Sequence, residues 1–551
     1  MKPVSDTMQN SGIKKAFKTL APLAGFLAAW VFLNVLMNFS YPEGQNEFRN
    51  LLVISPEVFI ILVLLCLGAL LGMPFRRALF IPLTLAIIFL RLFRIADILV
   101  PTYFFRPFNL YLDSQFLPDL IFLLYSTLPL RVFALWSFLA VVAFALIAWG
   151  IWRALKSITT FFSGRRPRRI FSVAAVIIGV LMVSLNPWTT GYTGFIFAPG
   201  ILQRVAAEID FMVHLSDTTD KHLAALDRVI QKGRQYRTPL AKLNGADVYV
   251  FFIESYGHTV FADLRHSPLI TPFLQDVERR LKAGGYGSCS NFLKSPAFGG
   301  SSWLAHGALA GGVPIASQLH YDLMLASKVQ PIAAYFNRAG YRTVSVMPGT
   351  LWPWPAGKFY KYQKKYYAAD FDYRGPKFGW APMTDQFVLD SIYRAEIQKR
   401  SQPLFIEFVL ISSHAPFNEQ PRYIPDWSQI GNGSIYHTQK PIEFPIIWPH
   451  LENASQAYVT SIIYDFKVLV GFLEQMVSDD EVIVILGDHQ PNLKITGKNQ
   501  PWSVPVHVIS RNPDVIGAFL QRGYTPGLIP SQPLPHPGIE SLLWNILEDF
   551  G

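Results

Sequence analysis

"DVYVFFIES", Asp247–Ser255, sets six consecutive apolar residues, β-branched and aromatic, between an aspartate and a glutamate. The run is too short for a globular helix and lacks the alternation of a strand with one wet face, so it reads as a strand buried on both faces. Four similar runs come after it: "YRTVSVMP" (341–348), "PLFIEFVLIS" (403–412), "EVIVILGD" (481–488) and "VPVHVIS" (504–510). Helical spacing fills the intervals at 329–339, 384–399 and 455–477. Strands alternating with helices predict an α/β domain with a mostly parallel sheet between helices.

Ligands of such sheets bind beyond the carboxyl ends of the strands. The residues there are Glu254 after the first run, His414 in "LISSHAPF" after the third, and Asp488 and His489 in "VILGDHQP" after the fourth. Between the first two runs, "SPAFGGSSWLAHGALAG" (295–311) sets Ser301 and Ser302 behind Gly299 and Gly300, at the start of a helix of small residues. Each feature alone is ordinary turn chemistry, because Ser caps helices and Asp closes turns. Together, Glu254, Asp488 and His489 offer two carboxylates and an imidazole, a donor set suited to one divalent ion, zinc or manganese, with an open position for Ser301. A cation beside that hydroxyl favours its alkoxide, and the helix N-terminus favours an anion. Both point to phosphoryl chemistry with Ser301 as nucleophile, while Ser302 either donates a hydrogen bond to substrate or caps the helix.

Upstream of this domain the chain changes character. Of 551 residues only 16% are charged and 51% are hydrophobic, against about 25% charged in ordinary soluble chains. The apolar excess lies before position 187, in five stretches long enough to span a bilayer: 19–40, 53–73, 78–100, 132–152 and 170–187. The first lacks a cleavage pattern and is expected to be retained. Twelve lysines and arginines fall in the N-terminal segment and the loops at 74–77 and 153–169, against three in the alternate loops. The positive-inside rule therefore puts the N-terminus in the cytoplasm and the C-terminal domain outside. The expected division is a five-span membrane domain (1–187), a juxtamembrane collar and helical linker (188–240), and a catalytic domain (241–551). Up to residue 187 there are 17 basic and 7 acidic residues, which leaves 31 of each beyond it. The net charge of +10 thus belongs to membrane topology, and nucleic acid is not an expected partner. Cys66 and Cys289 are the only cysteines, and no bridge between them is expected. In the third stretch, "LRLFRIADILV" (90–100), Arg91, Arg94 and Asp97 share one helical face. They either line a groove for an anionic headgroup or form an interhelical ion pair.

The order "FFIES", "GGSS", "SSHAPF", "GDHQP" behind membrane spans resembles the sulfatase-like branch of the alkaline phosphatase superfamily. Within it the chain looks most like the lipoteichoic acid synthases and the phosphoglycerol and phosphoethanolamine transferases. The resemblance implies a metal carboxylate at Glu254, a nucleophile at Ser301, a metal pair at Asp488 and His489, and a substrate-phosphate histidine at His414. It also implies an aromatic and a basic residue at the headgroup, for which Trp352, Trp354 and Lys358 in "GTLWPWPAGKFYK" are the candidates. The implied protein is a multi-pass enzyme of a bacterial cytoplasmic membrane that takes a phospholipid headgroup, through a phosphoserine, to a glycan or lipid acceptor. Two departures matter. Cys289 lies in "SCSNF" and not in the C-x-P-x-R context of true sulfatases, which disfavours sulfate esters. Two cysteines also cannot supply the several disulfides of many lipid A phosphoethanolamine transferases, which favours a phosphoglycerol donor slightly. Hydrolysis of a phosphoric ester, or a non-enzymatic lipid sensor on the same fold, are the alternatives.

Overall fold

The structure, a computed structural model, describes all residues except 1–4, 40–52, 76, 185–196, 199, 237–238, 352–353, 447–450, 452, 478–480 and 498. The chain divides into two compact units: Met1–Pro101 with Arg106–Leu215, and Thr102–Phe105 with Ser216–Gly551.

The first unit is helical. Three of its helical segments are long and apolar enough to cross a membrane among the described residues: Ala21–Asn38, Ala78–Phe104 and Leu130–Phe162. The other two expected stretches are helical as well in their described residues, but the second is the 15-residue Pro56–Leu70 and the described part of the fifth, 170–184, belongs to Arg165–Ser184, whose first turn is loaded with arginine. Polar groups inside an apolar bundle need internal partners, and several here have them. Ser55 caps the Pro56–Leu70 helix and donates to Glu57 Oε2 at 2.7 Å. Glu57 Oε1 accepts the Ile201 amide at 2.5 Å, and Asn38 donates to the Val53 carbonyl at 2.6 Å. Asp97 accepts the Arg204 Nε–H at 2.8 Å.

The second unit holds an eight-stranded sheet with strands β1 (Asp247–Ile253), β2 (Gly287–Lys294), β3 (Arg342–Met347), β4 (Lys364–Tyr367), β5 (Leu404–Leu410), β8 (Glu481–Gly487), β9 (Ser503–Ser510) and β10 (Thr525–Pro526). A separate antiparallel pair is formed by β6 (Glu419–Gln420) and β7 (Ile442–Glu443). The order across the large sheet is β10-β2-β9-β8-β1-β5-β3-β4. The half from β8 to β4 is parallel, and β9, β2 and β10 continue it antiparallel. Every residue of β1 is buried, and alternate side chains go to opposite faces as the pleat demands. Tyr249, Phe251 and Ile253 pack toward the helices Ser267–Ala283 and Ser455–Gln475; Val248, Val250 and Phe252 pack toward Ser302–Gly311, Ile332–Arg338 and Ser541–Phe550. All five strands expected from the sequence are present. Sequence reading misses β2, "GSCSNFLK", and β4, "KKYY", which carry no apolar run to read, and the two-residue β6, β7 and β10.

Candidate active site

Register brings the carboxylates together. Ile253 pairs with Leu410 of β5 on one side and with Gly487 of β8 on the other. Glu254, the Ile411–His414 loop and Asp488 therefore leave three adjacent parallel strands at one level. Gly487 has to be glycine there, because a Cβ would lie 1.8 Å from the Tyr256 carbonyl oxygen.

Ligand atoms of Glu254, Asp488 and His489 all lie within 4.8 Å of one another. His489 Nε2 is 3.2 Å from Glu254 Oε1 and 3.4 Å from Asp488 Oδ2. Its Nδ1 lies 2.7 Å from the Gln490 carbonyl. That oxygen only accepts, so Nδ1 donates to it and Nε2 is the ring nitrogen facing the carboxylates, the one that would be free to bind a metal ion. Asp488 Oδ1 accepts the amides of Ser255 at 2.8 Å and His489 at 2.7 Å, which leaves Oδ2 on the His489 side. Burial alone pushes Glu254 up, yet the His489 charge beside it holds its carboxyl well below the usual range. Burial, and then the Glu254 charge, lift Asp488 to about 6. Burial opposes a charged His489, but Asp488 and Glu254 overcome it and raise the imidazole to about 9. Two carboxylates packed this tightly call for positive charge. Their oxygens with an imidazole nitrogen form a donor set that a divalent zinc or manganese ion fits.

The structure separates the two serines. Ser301 stands at the N-cap of the Ser302–Gly311 helix with φ 64° and makes no side-chain capping bond. A left-handed conformation is costly for a residue other than glycine and is often kept where function needs it. The hydroxyl that reaches the cluster is that of Ser302. It donates to Glu254 Oε2 at 3.2 Å and lies 3.2 Å from His489 Nε2. The hydroxyl expected beside the cluster at Ser301 is thus found one residue along the chain, where the left-handed Ser301 turns the second serine inward. Gly299 and Gly300 each allow a close approach of the chain. A Cβ on Gly299 would lie 1.9 Å from the Tyr103 carbonyl, and one on Gly300 2.8 Å from the Phe104 ring.

His414 is half-buried beside the cluster, close enough to interact electrostatically with Glu254. Its Nδ1 lies 2.7 Å from the Ala415 carbonyl. The loop carrying it is pinned twice. Asp385 accepts the amides of Ile411 at 2.9 Å and Ser412 at 2.7 Å, and the Ser413 hydroxyl donates to the Glu254 carbonyl at 2.7 Å. The ring stacked on His414 is Trp380, with centroids 4.1 Å apart and an 18° interplanar angle. Sequence reading overlooks Trp380 and Asp385, since "GWAPMTD" (379–385) looks like a loop and a helix start. The expected headgroup residues fare differently. Trp352 lies outside the described residues. Trp354 packs against Tyr360 with centroids 5.0 Å apart, and Lys358 is exposed in a cleft with Asp322 and Phe359. In the first unit Arg94 is 9% exposed, and Nη1 of both Arg91 and Arg94 is buried without a hydrogen-bond partner.

Residues 316–508 match the sulfatase family model. The match to this enzyme-family model covers about a third of the chain and includes His414, Asp488 and His489. No curated protein matches the sequence. Among solved structures, the chain is similar to the lipooligosaccharide phosphoethanolamine transferase A of Neisseria meningitidis (13% identity, 92% of this chain and 90% of that one, TM-score 0.38). It is similar to the phosphoglycerol transferase GacH of Streptococcus pyogenes in complex with sn-glycerol-1-phosphate (12%, 59% and 91%, TM-score 0.36). It is similar also to the lipoteichoic acid synthase LtaP of Listeria monocytogenes (15%, 48% of this chain, TM-score 0.33), of whose length it spans 65%.

Proposed function

We propose that the protein transfers a phosphoglycerol or phosphoethanolamine headgroup from a membrane phospholipid to a glycan or lipid acceptor, with Ser302 as the nucleophile. The observation that carries this reading is the Ser302 hydroxyl 3.2 Å from both Glu254 Oε2 and His489 Nε2, in a chain whose sulfatase-family segment contains His489.

Glu254, Asp488 and His489 would hold the divalent ion, which supplies charge neutralisation at the phosphate and a lowered pKa at the serine hydroxyl. The remaining work falls to the chain. Ser302 Oγ passes its proton to solvent water and attacks phosphorus; the new P–Oγ bond forms as the P–O bond to diacylglycerol breaks. His414, protonated at Nε2, donates to a phosphoryl oxygen and passes a proton to the departing oxygen. The headgroup phosphate then rests on Ser302 until an acceptor hydroxyl attacks the same phosphorus and Ser302 recovers its proton. Trp380 keeps the His414 ring facing the phosphate. Water as acceptor would make the same chemistry a hydrolysis.

Cys289 supports phosphate over sulfate. It is buried at 0% exposure, and that burial pushes its thiol up to about 12, an inert position for a residue that true sulfatases convert. In the membrane domain, 1–187, five spans with a cytoplasmic N-terminus would put the domain beyond residue 240 outside a bacterial cytoplasmic membrane, with 188–240 as the connection. Within the membrane domain, Arg91 and Arg94, each with Nη1 buried and unpartnered, would line a groove for an anionic lipid headgroup. The test is release of diacylglycerol from labelled phosphatidylglycerol and phosphatidylethanolamine vesicles by the purified protein. Release from either lipid, abolished in Ser302→Ala, is expected; release unaffected by that change overturns the assignment.

A further inference from the structure

The core of the second unit contains an acid that the reaction does not use. Glu407 interrupts the apolar strand "LFIEFVL" and is 1% exposed, opposite Val250 of β1 and Ser345 of β3. Its Oε1 lies 3.0 Å from His306 Nδ1 and its Oε2 accepts the Tyr362 hydroxyl at 2.5 Å. His306 is 4% exposed and lies against the Phe252 ring, centroids 3.9 Å apart. Buried polar pairs of this kind are poor stabilisers compared with apolar packing of the same volume, so a histidine–carboxylate pair inside a strand core invites another explanation.

That explanation lies in the helix His306 belongs to. Ser302–Gly311 reads SWLAHGALAG, and Ala305, Gly307, Ala308, Ala310 and Gly311 offer little side-chain relief to fix its rotation. Its N-cap makes no side-chain hydrogen bond. A capping bond, a usual device for setting a helix about its axis, is thus missing at the end where Ser302 sits, and the neighbouring Trp303, whose Nε1 donates to Gln318 Oε1 at 2.8 Å, is tied by that bond to the helix Gln318–Ala326 and not to the sheet. His306 is four residues from Ser302, on the same face one turn deeper. We propose that the His306–Glu407 pair is a positioning device: one directional bond to the sheet fixes the rotation of this helix and so aims Ser302 at Glu254 and His489. Tyr362 holds the second oxygen of Glu407 and keeps the carboxylate from turning. Neither residue is assigned contact with substrate, and the inference rests on the reading of Ser302 as the attacking hydroxyl.

The test reads the placement of residue 302 without turnover. In the full-length chain in detergent, Ser302→Cys puts a thiolate at the cluster, and cadmium then gives an ultraviolet thiolate-to-metal band that the parent chain lacks. Adding Glu407→Gln or His306→Leu is expected to remove the band or weaken cadmium binding about tenfold or more, the range seen for lost supporting contacts around metal ligands. His306→Asn, whose amide nitrogen replaces Nδ1, is expected to keep the band and so separates lost direction from lost packing. His306→Leu and His306→Asn carry the comparison if Glu407→Gln does not fold. A band in Ser302→Cys that persists unchanged in the added variants overturns the positioning pair and leaves the function standing. No band in Ser302→Cys itself overturns the placement of Ser302 and the pair together.

Discussion

Ile253 and Gly487 face one another in adjacent parallel strands, each one residue before a carboxylate. From that pairing Glu254 and Asp488 emerge side by side, and His489, Ser302 and His414 are arranged around them. The site is a property of the sheet's register, and its consequences can be measured.

Of the two adjacent serines only Ser302 reaches the cluster. Ser302→Ala is expected to lower diacylglycerol release roughly a thousandfold or more. Ser301→Gly should leave it within about threefold and cost no stability, because φ 64° suits glycine. Steady-state rates and thermal melts of both variants check this; equal losses would return Ser301 to the mechanism.

Chelation should abolish turnover, and zinc or manganese should restore it. Because a ligand that binds only the folded chain stabilises it by mass action, the melting temperature should rise with added metal. Asp488→Asn and His489→Ala should lose both the rescue and the rise.

Trp380 stacks on His414. An aromatic face against an imidazolium contributes on the order of 1 kcal/mol, so Trp380→Ala should reduce kcat about fivefold or more, with Trp380→Phe recovering part of the loss. A change confined to KM would move Trp380 from holding His414 to binding substrate.

His507 is buried at 0% exposure, with Nδ1 2.7 Å from Ser290 Oγ and Nε2 2.9 Å from Tyr256 Oη, and burial lowers it from 6.5 to about 3. The unfolded chain binds this proton below 6.5 and the folded chain only near 3. Stability should therefore be full above that upper value and fall as pH drops through the window, by on the order of 1 kcal/mol per pH unit. Urea unfolding of the metal-free protein from about pH 7 to about pH 4 measures the slope. His507→Gln should start lower and flatten it.

Much of the fold and the site is legible from residue order. The central strands are apolar runs because both their faces are covered, and Glu254, His414, Asp488 and His489 are found at their carboxyl ends because parallel strands put those ends on one edge. The features that escape are those that depend on torsion or on distant partners. A left-handed Ser301 shifts the inward hydroxyl by one position, and no periodicity encodes that. Trp380 meets His414 from 34 positions away in the chain. Membrane span counting rests on apolar length, and the stretch at 53–73 folds as a helix of only 15 residues, begun by the Ser55 cap and Pro56.

The central claim is that Ser302 carries the headgroup phosphate between donor and acceptor. Acid-quenched turnover with phosphatidylglycerol or phosphatidylethanolamine, then peptide mass spectrometry, tests it most directly. The account predicts a phosphoglycerol or phosphoethanolamine mass on Ser302, absent in Ser302→Ala. The same mass on Ser301 or on another side chain would contradict it.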